Sequence, residues 1–300
     1  MKHYRSQLDT TSKKYRCPEC GQKRFVRFID SETNQYAAEH FGRCDREVQC
    51  AYFLSPSSET YYPYNYDYTP TLPKKILATS YIDISIAEAT LCNYEINPLI
   101  SYLYKRYDAD KIEKLIHMYN LGTAVHYGGS IVYWQIDSTG NVRAGKVMGY
   151  DKDTGKRLKS LEGKPQINWA HKLLKNDSNY NLKQCLYGLH LLSNKTKVVY
   201  IVESEKTALI MAIELPKLTW MATGSLTAFK RETLSPIKNC EVIAFPDKGA
   251  YSKWLKVANM LNLEGFKIKV TEEMEQNQYK KGWDLVDAIE FEENKEADQS

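Results

Sequence analysis

Residues 197–213 read KVVYIVESEKTALIMAI: a β-branched apolar run that stops at Glu203, followed by a helix-forming run. A short apolar run of this kind, bounded by polar residues, reads as a fully buried strand. The same alternation continues downstream. LTWMAT (218–223) reads as a strand and LTAFKRETL (226–234) as a helix. CEVIAFPD (240–247) is a strand, YSKWLKVANMLNLEG (251–265) a helix, and FKIKVTE (266–272) a strand. Strands alternating with helices predict a parallel or mostly parallel α/β sheet. Ligands of such sheets bind beyond the carboxyl ends of the strands. Glu203 ends the first strand, Asp247 ends the third, and Gly224 lies just past the second. Asp284 and Asp287, in KGWDLVDAI, open the last helix and are expected to join them. Carboxylates gathered at one edge bind Mg2+, which organises phosphates or clamps both oxygens of an in-line displacement. The competing reading of each acid alone is a helix-capping carboxylate.

Upstream, Ser85 through Tyr94 has helical apolar spacing. Asn97 with Pro98 predicts a second helix, as N-cap and first helical residue. Asp108 or Asp110 opens a third, ending near Gly122. GGSIVYWQID (128–137) and VRAGKVMGYD (142–151), joined by STGN, predict a β-hairpin. Arg143, Lys146, Arg157 and Lys159 are candidates for a groove that tracks phosphates, and Lys206 is a further basic candidate. The alternative is a solvated hairpin face.

Four of the seven cysteines, Cys17, Cys20, Cys44 and Cys50, crowd into the first sixth of the chain. Cys17 and Cys20 form C-x2-C with Gly21 directly after, a turn that points two thiolates at one place. KRFVRFID and QYAAEHF read as two short strands around SETN, which would bring Cys44 and Cys50 to the first pair. Four thiolates satisfy tetrahedral zinc in a closed, structural site. A disulfide pair is the alternative; a reducing compartment favours metal. The second pair has five intervening residues, and His40 is the substitute ligand if one cysteine is not used. Arg24, Arg27 and Arg43, interleaved with Tyr15, Phe25 and Phe28, suggest a face for single-stranded nucleic acid. Cys92, Cys185 and Cys240 read as isolated buried thiols.

Residues 54–75, SPSSETYYPYNYDYTPTLPKK with its leading leucine, read as an extended linker, rich in Ser, Pro, Thr and Tyr. EFEENKEADQS reads as an acidic, solvated tail. With 43% hydrophobic and 26% charged residues, the 300-residue chain can bury a core. Mean hydropathy is −0.53, and no apolar run approaches the ~20 residues of a membrane span. The N-terminus carries no apolar signal region. A membrane protein and a secreted disulfide scaffold are therefore excluded, and a cytoplasmic location is expected. Net charge is +4, too mild by itself to mark a nucleic-acid binder, but 23 tyrosines suit base stacking.

VVYIVESEKTALI resembles the glutamate motif of the Toprim domain, shared by bacterial-type primases, topoisomerases and related nucleases. ATGS resembles its glycine turn and VIAFPDKGAY its aspartate motif. On that resemblance Glu203 matches the invariant acid, Asp247 the first metal-binding Asp, and Asp284 the later acid. Two positions depart: Gly249 stands where the second Asp of D-x-D is customary, and Ser204 where a Gly follows the glutamate. A cysteine-rich zinc module, a basic middle and then Toprim resembles a bacterial DnaG-type primase, in the compact form found in Bacteroidetes genomes and mobile elements. The resemblance implies an α+β multidomain chain. A zinc ribbon would occupy residues 1–53, a linker 54–75, a primase-core-like α+β subdomain 76–195, a Toprim-like α/β sheet 196–290 and an acidic tail 291–300. It implies a nucleotidyltransferase that makes short primers on single-stranded DNA from nucleoside triphosphates. Structural Zn2+ and catalytic Mg2+ or Mn2+ would serve it, with a separate replicative helicase as a further partner. Two alternatives remain: a nonenzymatic nucleic-acid-binding accessory of a replication or mobilisation complex, which Gly249 favours, and a Toprim nuclease.

Overall fold

The computed structural model describes residues 6–46, 50, 52–56, 78–174 and 180–299. The chain divides into two compact units, Met1–Ile76 and Leu77–Ser300.

The first unit is a small antiparallel sheet in the order β1 (Ser6–Leu8), β2 (Phe25–Asp30), β3 (Gly42–Cys44), β4 (Phe53–Leu54). β2 is its centre, and Phe25 and Phe28 point inward from it. Phe25 packs with Cys17 and Cys44, and Phe28 with Ala37 and Phe41. The segment QYAAEHF, expected as a strand, is not one. It makes a single bridge, Ile29 with Tyr36, and the partner of β2 is instead β3. Asp30 explains the early turn: its Oδ1 accepts from the backbone of Glu32 and Thr33 at 2.9 and 3.0 Å. Ala37 and Phe41 then fold into the core rather than alternating along a ladder. Of the expected linker, Leu54 lies in β4 and residues 57–75 lie outside the described residues.

The second unit opens with α1 (Ile84–Glu88), capped by Asp83, whose side chain accepts from Ser85 N. The helix expected to reach Tyr94 ends at Glu88, where the Thr90 hydroxyl turns back to Ala87 O at 2.6 Å; Asn93, left-handed at φ 54°, then precedes a 3-10 turn at Tyr94–Ile96. α2 (Pro98–Tyr104) follows with Asn97 as its side-chain cap and Pro98 at its first position. α3 (Ala109–Tyr119) is stopped by Asn120 in the left-handed region, two residues before Gly122. β5 (Leu121–Ala124), β6 (Ser130–Ile136), β7 (Val142–Met148) and β8 (Ile167–Trp169) form an antiparallel sheet in sequence order. The predicted hairpin is β6–β7, and α4 (Ala170–Leu173) follows β8.

The remaining elements are β9 (Val198–Val202), α5 (Glu205–Glu214), β10 (Trp220–Ala222), α6 (Arg231–Leu234), β11 (Glu241–Phe245), α7 (Tyr251–Leu263), β12 (Lys267–Val270) and α8 (Leu285–Gln299). Their four strands form a wholly parallel sheet in the order β10-β9-β11-β12. The single helix expected over 226–234 is broken into a 3-10 turn and α6. Phe229 leaves helical geometry between them and stacks on Trp254 at 4.2 Å.

The two sheets share a core. Leu99, Leu103, Ile112, Leu121 and Tyr133 pack in one cluster with Ala208, Leu209, Ile213 and Trp220. α5 is buried along nearly its whole length; it sits between the sheets rather than on a surface, as a helix apolar on every side must. The opposite face of the parallel sheet packs Val199, Ile201, Val242 and Ala244 against Trp254 and Leu261. Each large side chain buried this fully contributes about 1.5–3 kcal/mol. Residues 291–299, expected as a tail, continue α8 to Gln299. Their Glu and Lys residues are good helix formers, and Glu292 and Lys295 face each other one turn apart at 3.5 Å. Among the described residues, no helix is long and apolar enough to cross a membrane.

Candidate functional site

In the first unit, Gly21 adopts φ +69° and its N–H bonds Cys17 O at 2.9 Å, closing the turn that presents Cys17 and Cys20. Cys44 lies on β3, and Cys50 N bonds Arg46 O at 2.8 Å in a second turn. All four sulfurs lie within 4.8 Å of one another. Two of the separations are 3.7 Å (Cys17–Cys50) and 3.9 Å (Cys20–Cys44). A tetrahedron with Zn–S bonds near 2.3 Å has edges of about 3.8 Å, so the thiols stand where zinc requires them. All four converge on one point, which favours metal over a disulfide pair. A backbone N–H at Gln22 draws the Cys20 thiol down to about 7, toward the thiolate that binds metal. His40 is exposed, its ring against Phe41, and is not one of the four ligands.

The ribbon's basic residues are placed unequally. Arg24 and Arg43 are exposed. Arg27 is committed within the ribbon, where its guanidinium sits 5.1 and 5.0 Å from the rings of Tyr15 and Tyr36 and donates to Ala37 O. Phe25 and Phe28, expected on a stacking face, are core residues. In a segment this small, both aromatic side chains of the central strand are consumed by the fold.

In the second unit, β9, β10 and β11 end side by side, and the chain turns over one edge of the sheet. Glu203 follows β9 directly and Asp247 stands two residues beyond β11. Gly224, φ +79°, makes the turn after β10 and donates its N–H to Glu203 O at 2.8 Å. A Cβ there would lie 2.8 Å from Glu205 Oε1, so both the backbone and the space demand glycine. Burial raises the Glu203 carboxyl, against the Leu226 backbone N–H and the charges of Arg157 and Lys146. Asp247 is pushed up to about 8, by burial first and then by the like charges of Glu203, Asp284 and Asp287. Burial and Asp284 raise Asp287 as well.

Asp284 and Asp287 also cap α8. Asp284 Oδ1 accepts from Val286 N and Asp287 N at 2.9 and 3.1 Å, and Asp287 Oδ2 accepts from Asp284 N at 3.0 Å. This is the reciprocal pattern of a capping box. Thr207 on α5 donates its hydroxyl to Asp284 Oδ2. The capping role and the place in the acidic group thus coexist. Gly249, φ +89°, donates its N–H to Glu275 Oε1 at 2.9 Å. Its backbone angle, rather than crowding, excludes an aspartate, since the nearest atoms to an added Cβ are 3.8 Å away. Among the described residues, only the cysteines bring three or more ligand atoms within 4.8 Å. The acids form a negative edge rather than a closed cage.

The basic candidates divide. Arg157 and Lys159 are exposed. Arg157 has no carboxylate within ion-pair distance among the described residues, yet its charge acts on both Glu203 and Asp247. Lys206 donates to Gly155 O at 3.1 Å and its charge acts on Asp287. Arg143 pairs with Asp137, Nε to Oδ2 2.6 Å, and lies 5.2 Å from the Tyr81 ring centre. Lys146 is not a surface contact. It is 7% exposed and donates to both oxygens of Glu205 at 3.0 Å and to Gly224 O at 2.9 Å. Glu205, 2% exposed, is a site residue that sequence reasoning missed. It resembles an ordinary first-turn carboxylate, and the signal that betrays it is its helix, too apolar to have a solvent face.

Residues 97–248 match the family described as Domain of unknown function (DUF6371). The chain belongs to that family. The DUF6371 region runs from the cap of α2 past Asp247, so it contains Lys146, Glu203, Glu205 and Gly224. Residues 4–65 match a zinc beta-ribbon finger. No curated protein matches the sequence. Among solved structures, the Escherichia coli primase catalytic core is similar at 15% identity and TM-score 0.47, over 72% of this chain and 76% of that one. The RNA polymerase domain of Mycobacterium tuberculosis primase DnaG is similar at 16% and 0.44, over 70% and 80%. The primase fragment of the bacteriophage T7 primase-helicase protein is similar at 18% and 0.40, over 60% and 66%.

Proposed function

We propose that the chain is a primase-like nucleotidyltransferase that makes short primers on single-stranded DNA. The observation that carries this reading is the acidic edge. Asp247, held near 8 by burial and by its neighbours' charges, is a carboxyl whose ionised form awaits a cation. Mg2+ demands few protein ligands, keeps several waters, and is completed by one or two carboxylates plus substrate phosphates. An open edge of Glu203 and Asp247, with Asp284 and Asp287 behind them, suits Mg2+ or Mn2+ held in that manner. A divalent ion held there would neutralise a triphosphate's charge while a 3′-hydroxyl, giving its proton to water, attacks the α-phosphorus and pyrophosphate leaves.

The chain's own residues supply the positioning. Glu203 and Asp247 hold the cation side of the site. Arg157, exposed beside them, offers a fixed positive charge to phosphate oxygens. The Lys146–Glu205 pair holds the Gly224 turn, which in turn bonds the backbone of Glu203. The zinc ribbon, through Arg24 and Arg43, is the template grip in this reading, and a separate replicative helicase is its expected partner. The motif resemblance at Glu203, Gly224 and Asp247 supports the same reading.

The test is primer synthesis on single-stranded DNA with labelled nucleotides and Mg2+ or Mn2+, comparing wild type with Glu203→Ala. Short products from wild type alone are expected, with DNA binding retained by both. Mn2+ titration by magnetic resonance gives a second readout, in which the variant binds the ion more weakly. DNA binding without synthesis from wild type would support the second reading, a nonenzymatic accessory, which the glycine at position 249 favours. Degradation of the template in place of synthesis would identify a nuclease.

A further inference from the structure

We propose that the amino-terminal edge of the parallel sheet is a second nucleic-acid site, one that binds a strand by its phosphates. The inference rests on the reading of the chain as nucleic-acid-binding and adds a surface remote from the acidic edge. Each strand of the sheet is entered through a lysine. Lys217 precedes β10, Lys195 and Lys197 precede β9, Lys238 precedes β11, and Lys267 opens β12. Because the spatial order is β10-β9-β11-β12, these residues form a row across the sheet rather than scattered charges. Neighbouring strands are about 4.8 Å apart, so the row is a band with a net positive charge.

None of the five has a carboxylate within 4.0 Å among the described residues. The acids at the same edge offset it only in part. Glu264 is paired with Arg231 and Glu214 acts on Tyr107; Glu241, opposite Lys267 at the start of β11, is among the described residues the one acid within the row of five lysines. At the β9–β10 end the band opens into a cleft of about 410 Å³. Its walls carry Lys195, Lys197 and Lys217 with Ser193, Thr196 and one side of Tyr200, whose ring packs with Trp220 and Phe245. Three ammonium groups around one cleft form a surface for the phosphates of a strand. Lysines, as hydrated point charges, suit a backbone contact that is independent of sequence.

Lys197 and Glu203 flank β9, six residues apart, which puts the band about 20 Å from Glu203 along the strand. A strand leaving the acidic edge must round the sheet to reach it, so only a long oligonucleotide can engage both.

The experiment uses the full chain and the variant Lys195→Gln, Lys197→Gln, Lys217→Gln. None of these residues belongs to the acidic edge, and all three are exposed, so the fold should persist; thermal melting checks it. Binding of fluorescent single-stranded DNA is measured against salt for one oligonucleotide of about 6 nucleotides and one of about 24. For the long strand, the slope of log affinity against log salt should fall by about 2 in the variant, at about 0.7 for each phosphate that a lysine no longer neutralises. The short strand, which occupies one surface or the other, should show a clearly smaller fall. Equal slopes with the long strand would overturn the proposal while leaving the nucleic-acid reading intact. Equal losses for both lengths would also overturn it, by merging the lysines with the acidic edge. Wild type that binds neither strand would overturn both readings. Loss of polyglutamate binding with unchanged DNA binding would overturn it too, by assigning the band to an acidic protein instead.

Discussion

Replacing Lys146 with methionine removes the cation from a pair almost without water. Lys146 and Glu205 are 7% and 2% exposed, and the ammonium reaches both carboxylate oxygens at 3.0 Å and Gly224 O at 2.9 Å. Methionine nearly conserves the volume, so the loss is electrostatic. Breaking a buried pair from one side costs about 3–5 kcal/mol, because the other charge remains uncompensated. At about 2–4 °C per kcal/mol for a unit of this size, melting of the second unit should fall by roughly 6–20 °C. All five tryptophans (Trp134, Trp169, Trp220, Trp254 and Trp283) lie in that unit, so tryptophan fluorescence reports its unfolding alone. The double variant Lys146→Met, Glu205→Met should recover most of the loss, since an apolar replacement of both partners is often neutral or stabilising. A Lys146→Met protein within ~0.5 kcal/mol of wild type would refute the argument, as would a double variant whose losses simply add.

Three other perturbations address the acidic edge and the four-cysteine cluster. The Asp247 carboxyl is raised in the folded state, so its contribution to stability is complete below about pH 3.8 and is lost as pH rises through about 8. Without divalent ions, the second unit should melt higher at pH 6 than at pH 9, and Asp247→Asn should flatten that profile; a wild-type profile already flat would contradict it. Mg2+ should raise the melting temperature more at pH 9 than at pH 6 in wild type but not in Asp247→Asn, as differential scanning fluorimetry would record. Cys20→Ser, or zinc chelation, should abolish hydrogen-exchange protection over residues 15–52 while leaving tryptophan fluorescence unchanged, because the ribbon's two small apolar clusters cannot hold it without metal. Unchanged protection would show that the ribbon folds without zinc.

What could be read along the chain was whatever a short window contains. The C-x2-C turn with Gly21, the β6–β7 hairpin, the Asn97–Pro98 cap and the strand–helix alternation from Val198 onward all rest on local periodicity or turn chemistry, which neighbours in sequence decide. That Glu203 and Asp247 end strands was legible for the same reason. Failures occurred where one distant residue overrode a local pattern. Phe229 breaks its helix to stack on Trp254. Ala37 and Phe41 leave strand geometry to cover Phe28.

Local order along the chain thus sufficed for most elements, for the four-cysteine cluster and for the acids at the strand ends. Which charges face water was settled only by packing in three dimensions. Lys146 and Glu205 are 59 residues apart, and neither carries a local mark of burial. Only packing of the antiparallel sheet against α5 takes both out of solvent and makes them partners. The lysine row is likewise invisible in order of sequence, because β10-β9-β11-β12 is an order of space. Charge has no periodicity of its own, so its meaning is set by the dielectric and the neighbours that the fold supplies.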